Sequence, residues 1–100
     1  MKHLVKATIY DKNNKIVATA VNSYTKTHPK QSHYANLCGE PYKQFLHAEM
    51  LVLIRAKGKG IRLVVERYNK AGDSMLAMPC KICMMAIREA KHIKRIEYTL

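Results

Sequence analysis

Apolar and polar positions change their spacing several times along the chain, and each change marks an element. "LVKATIYD" alternates as a strand does, "KNN" is a turn, and "KIVATAVNSY" reads as a second strand, so residues 3–23 are expected to form a β-hairpin. Residues 24–41, "YTKTHPKQSHYANLCGEP", are polar with two prolines and a glycine, and are expected to be loop. From Tyr42 the spacing turns helical: Leu46, Met50, Leu53 and Ile54 recur on one face, with Pro41 near the start and "KGKG" at the end. "IRLVVERY" is a third strand and "NKAGDS" a turn, after which "MLAM" either pairs back or leads into Pro79. "CKICMMAIREAKH" is a second helix, with Cys80, Cys83, Met84 and Ile87 on one side, and "IKRIEYTL" closes the chain as a strand.

The order β-β-α-β-α-β is that of an α/β chain: a mixed β-sheet whose parallel members are joined by crossover helices. Right-handed crossovers place both helices on one face of the sheet. No segment obviously covers the other face, so a homo-oligomer or another partner is expected there.

One hundred residues, nearly half of them apolar or aromatic, make one folded domain spanning 1–100. No apolar run is long enough to span a bilayer, so no membrane partner is expected. The amino terminus carries no continuous apolar stretch, and the setting is expected to be cytoplasmic. Three cysteines do not make a disulfide scaffold; two of them, spaced C-x-x-C, indicate a metal or a redox pair, while Cys38 stands alone. Eighteen lysines and arginines against seven aspartates and glutamates favour anionic partners such as nucleotides or nucleic acid, though the same charge also serves a merely solvated surface.

Chemistry concentrates in two short stretches. His47, in "FLHAEMLVLI", opens the first long helix, and Cys80 and Cys83, in "PCKIC", open the second. Cysteines three apart share a helical face, and a helix amino terminus favours the thiolate, so both sulfurs can reach one ion. One imidazole and two thiolates would hold Zn2+ and leave its fourth tetrahedral position open, as in catalytic zinc sites. Glu49, two residues after His47, need not bind the metal and is placed for general acid/base work.

"HAE" followed by "PCKIC" resembles the zinc-dependent cytidine and deoxycytidylate deaminase superfamily, whose signature is H-x-E…P-C-x-x-C. Apolar Val52, Leu53 and Ile87 fall where that family has them, and the resemblance covers nearly the whole chain. It implies a cytidine-deaminase-like three-layer fold in a shortened form. It also implies roles: His47, Cys80 and Cys83 as zinc ligands, Glu49 as the proton shuttle, and Asn22, Ala48 and Pro79 as substrate contacts. The implied reaction replaces the amine of a cytosine nucleoside or nucleotide by a carbonyl. Relatives carry a helix before the first strand and further elements after the fourth, which this chain lacks. The tRNA adenosine deaminases have Leu-Glu before Pro-Cys where "AMPC" stands here, and the deoxycytidylate enzymes have Asn-Ala after HAE where "MLVL" stands.

Other readings use the same residues. A closed structural zinc site would draw a fourth ligand from Cys38, His33 or His92. A redox C-x-x-C pair leaves "HAE" unexplained. Asn22 also suits an ordinary strand end. Lys26 and His28 would contact a phosphate, or belong to a solvated loop. The substrate is expected to be a small nucleoside or nucleotide, with cytosine or adenine in single-stranded DNA or RNA as the alternative, and a non-catalytic zinc-stabilised binding module as a third reading.

Overall fold

The computed structural model describes residues 4–22, 27–40, 47–69 and 71–99. Strands β1 (Leu4–Tyr10) and β2 (Ile16–Val21) form the expected hairpin, paired antiparallel from Lys6↔Val21 to Tyr10↔Ile16. The register shifts at Ile9/Tyr10, where Val17 is the extra residue of a bulge. Asp11 closes the turn, accepting from the backbone N–H groups of Asn13 (2.8 Å) and Lys15 (3.0 Å), and these bonds help hold its carboxyl below the usual range.

The segment 24–41 is not all loop. Helix α1 (Pro29–Leu37) occupies its centre, opened by Pro29 in the first turn and capped by His28, whose Nδ1 accepts the Lys30 N–H at 3.0 Å. Helix α2 (Ala48–Ala56) follows. His47 is extended (φ −78°, ψ 153°), so this helix begins at Ala48 and not at Tyr42; residues 41–46 lie outside the described residues. Strand β3 (Arg62–Tyr68) pairs antiparallel with β1, and the short β4 (Ser74–Met75) pairs back onto Arg67 and Tyr68, the first of the two readings of "MLAM". Helix α3 (Lys81–Ala90), capped by Cys80, leads to β5 (Arg95–Tyr98), which runs parallel to β3.

The sheet is therefore mixed, in the order β2-β1-β3, with β4 and β5 sharing the outer edge of β3. Its alternation explains the core. Ala7, Ile9, Leu63 and Val65 point to one face and are fully buried, against Val52 of α2 and Ile82 of α3. One cluster joins strands and helices, so among the described residues the helical layer lies on one face, where right-handed crossovers are expected to put it.

The opposite face is not a bare apolar surface. The Arg62 guanidinium stacks over the Tyr10 ring at 4.4 Å and bonds Glu97 at 3.3 Å, while the Tyr68 hydroxyl donates to Glu66 at 3.0 Å. Among the described residues, no helix is long and apolar enough to cross a membrane.

Gly60 connects α2 to β3 at the tightest approach in this layer. Its φ is +89°, and a Cβ there would overlap the Ile9 side chain and come within 3.2 Å of the Tyr10 carbonyl oxygen. Gly60→Ala is expected to lower stability by about 2–4 kcal/mol through overpacking and positive-φ strain. Urea unfolding at constant m-value checks this, and an unchanged midpoint would contradict the packing described.

Candidate metal and proton-transfer site

Topology gathers the site. β2, β3 and β5 all end at the same edge of the layer, and α2 and α3 both start there, the place where open α/β sheets bind ligands. His47 is the N-cap of α2, Cys80 the N-cap of α3, and Cys83 lies in the first turn of α3. His47 Nδ1 stands 3.2 Å from Cys83 Sγ and 3.5 Å from Cys80 Sγ. Tetrahedral zinc with Zn–S of about 2.3 Å and Zn–N of about 2.0 Å separates its ligand atoms by roughly 3.5–3.8 Å. The three donor atoms all lie within 4.8 Å of one another, so the set fits a zinc ion after small side-chain adjustments. Both contacts use Nδ1, so this is the ring nitrogen that would face a metal ion held by the cluster.

The two sulfurs are driven in opposite directions. A hydrogen bond from Cys83 is the largest cause drawing the Cys80 thiol down to about 3, and the His47 ring adds to it. The same bond, together with burial, pushes Cys83 up. The exposed N–H groups at the start of α3 favour the thiolate further.

Glu49 is buried, only 6 % exposed, and burial raises its carboxyl above the usual range. It is not one of the three converging donors, but its carboxyl stands near enough to His47, Cys80 and Cys83 to be influenced by them, a proton-holding group beside the cluster.

The remaining expected residues separate. Ala48 is fully buried as the first residue of α2, a position whose N–H has no intrahelical acceptor. Pro79 is buried beside Cys80. Asn22 lies at the same edge, where its Oδ1 accepts the Val5 N–H at 3.0 Å and its own N–H bonds the Val5 carbonyl, so it closes the hairpin's open end. Lys26 falls outside the described residues. The His28 ring serves as a helix cap. None of the proposed fourth ligands joins the cluster: His92 Nδ1 bonds the Gly60 carbonyl at the far end of the sheet, His33 packs edge-on against Tyr34, and Cys38 ends α1.

One contributor escaped the sequence reading. Gln31 on α1 has no exposed surface, and its Oε1 accepts the His47 N–H at 3.5 Å, tying the presenting segment to α1. The signal was the run Gln31, Tyr34 and Ala35 at i, i+3, i+4 after His-Pro, too short to read as a helix without its partner.

A sequence profile described as the cytidine and deoxycytidylate deaminase zinc-binding region matches residues 1–100. The chain belongs to that deaminase family. Its fold is also similar to a solved mutant cytidine deaminase from Mycobacterium tuberculosis, with a TM-score of 0.53 and 20% identity over 96% of this chain and 67% of that one. Among curated proteins, none matches the chain in sequence.

For this deaminase-family site, zinc uptake at neutral pH must expel the proton that Cys83 retains, because its folded-state thiol titrates above the ordinary range. Affinity is then expected to rise with pH, by about tenfold per unit between roughly pH 6 and 8. Competition against a chromophoric chelator measures it. A flat profile would show that both sulfurs are already thiolates.

Proposed function

We propose that the protein hydrolytically deaminates a cytosine nucleoside or nucleotide, releasing ammonia and leaving the uracil form. The observation that carries this reading is the buried Glu49 carboxyl lying against a three-donor His47, Cys80, Cys83 set. Zinc held there supplies the Lewis acidity that makes a water molecule nucleophilic near neutral pH. The chain's own residues do the rest. Glu49 takes a proton from the attacking water and passes it to the ring nitrogen. It then takes the second from the hydroxyl newly bound to carbon and passes it to the departing amine, so that C=O forms as the C–N bond breaks and ammonia leaves. A carboxyl raised by burial suits both directions of transfer. In this reading the Ala48 N–H, at the positive end of α2, donates to the base's carbonyl, and the backbone at Pro79 accepts from its exocyclic amine. His47, Cys80 and Cys83 fix the geometry.

In this reading the substrate is a free nucleoside or nucleotide in the cytoplasm, where cysteines stay reduced for a metal. The net charge of +11 also favours a second reading, deamination of cytosine or adenine within single-stranded DNA or RNA. The expected homo-oligomer is a separate matter, settled by a sedimentation mass.

A panel of free cytosine and adenine nucleosides and nucleotides, beside single-stranded DNA and RNA, is to be assayed by mass spectrometry. Free cytosine compounds are expected to react. Glu49→Gln is expected to cut turnover by about 10²–10⁴-fold while retaining zinc. Reaction of oligonucleotides alone supports the second reading, and zinc-loaded protein inert towards every substrate sinks both.

A further inference from the structure

The zinc site lies at one edge of the layer, and the charge at the other. β3 runs from Arg62 at the far edge to Tyr68 at the site, a span of about 20 Å at strand rise. Three connections meet at that far edge, locked together by backbone bonds: Ile61 N–H to Tyr10 O at 2.9 Å, Lys94 N–H to Ile61 O at 2.7 Å, and Arg95 N–H to Ile61 O at 3.2 Å. Each connection brings cations. The hairpin turn carries Lys12 and Lys15, the link from α2 to β3 carries Lys57, Lys59 and Arg62, and the link from α3 to β5 carries Lys91, Lys94 and Arg95. Against these eight stand two carboxylates, Asp11 and Glu97.

Two features separate this pole from an evenly solvated surface. First, it is concave: a cavity of about 440 Å³ is lined by Lys12, Arg62, Lys94 and Arg95, with Asp11 and Asn14 on its wall. Arg62 is held in place by Tyr10, Glu97 and Asn14, a guanidinium fixed before any ligand arrives. Second, Lys57 and Lys91 both adopt left-handed backbone (φ 52° and 64°) at helix ends, where glycine is the unstrained residue. Arg55 and Arg88 already answer the helix dipoles in those last turns, so the two lysines add charge beyond what the helix ends require.

We infer that this pole is a docking surface for the phosphate backbone of a nucleic-acid strand, with one phosphate seated in the concavity between Lys12, Arg62, Lys94 and Arg95. Cations from three separate loops, spread around a depression and carrying a preset guanidinium, match a chain of phosphates better than a flat anionic membrane, which needs an apolar face to enter the lipid. The surface lies well away from the zinc centre, so the inference stands whether or not the chain is a deaminase. Recognition is of the backbone and independent of sequence.

The test is fluorescence polarisation of a labelled mixed-sequence single-stranded oligonucleotide with the zinc-loaded full chain. Four neutralised phosphates predict a salt slope of about −3, hence a loss of about fifty-fold in affinity between 50 and 200 mM salt. Lys12→Glu with Lys94→Glu is expected to weaken binding at least tenfold. Lys6→Glu with Lys30→Glu makes the same charge change on the open sheet face and at the start of α1, and is expected to weaken it far less. Melting temperature and zinc content confirm that both variants are folded. Equal losses in the two variants, or no binding at 50 mM salt, would overturn the inference. So would pole-dependent binding of polyglutamate or anionic phosphatidylserine vesicles without binding of the oligonucleotide.

Discussion

Two helix N-termini pointing at one spot impose the constraint on which the site depends. His47 and Cys80 are both N-caps, so neither side chain is fixed by its helix alone; each is placed by how α2 and α3 seat on the sheet. Their helices are joined through one buried cluster with Ile9, Leu63 and Val65, and the donor atoms end up within 3.2–3.5 Å of the His47 ring nitrogen. Crowding favours the thiolate at Cys80 and opposes it at Cys83, and a metal cation held there would favour it at both. Packing of an apolar layer thus becomes a statement about ligand geometry.

Around that centre, polar groups are organised by neighbours rather than by their own element. Gln31 reaches from α1 to the backbone of His47, and α1 in turn packs on α3. Asn22 holds the start of β1 against the end of β2. Among the described residues Glu49 is the one side-chain carboxyl buried in the layer, where removal from water raises its proton affinity. Burial of this kind suits the proton-holding role proposed for Glu49, which a surface glutamate, ionised in water, would fill less well.

The His47, Cys80 and Cys83 cluster and the glutamate beside it were legible in the sequence because their chemistry is specific: few reasons other than a metal put His-x-Glu and Pro-Cys-x-x-Cys at the heads of two apolar helices. The strands were legible because "VKATIY" and "RLVVERY" sit in a half-buried sheet that enforces alternation. Helix α1 was not. It buries only Gln31, Tyr34 and Ala35, and its remaining positions are polar, so its stability comes from docking that no local pattern encodes. The start of α2 was read too early because apolar spacing is blind to backbone angle, and His47 is extended. Charge was legible only as a total. That three loops collect eight cations at one end follows from the sheet order, which brings Tyr10, Ile61 and Lys94 together.

Three protein donors would leave a bound zinc one open position, and X-ray absorption at the zinc edge of the purified protein measures this. Two sulfurs at about 2.3 Å, one imidazole nitrogen at about 2.0–2.1 Å and one further light atom are expected. A third sulfur or a second imidazole would mean a closed structural site and would rule out the open position.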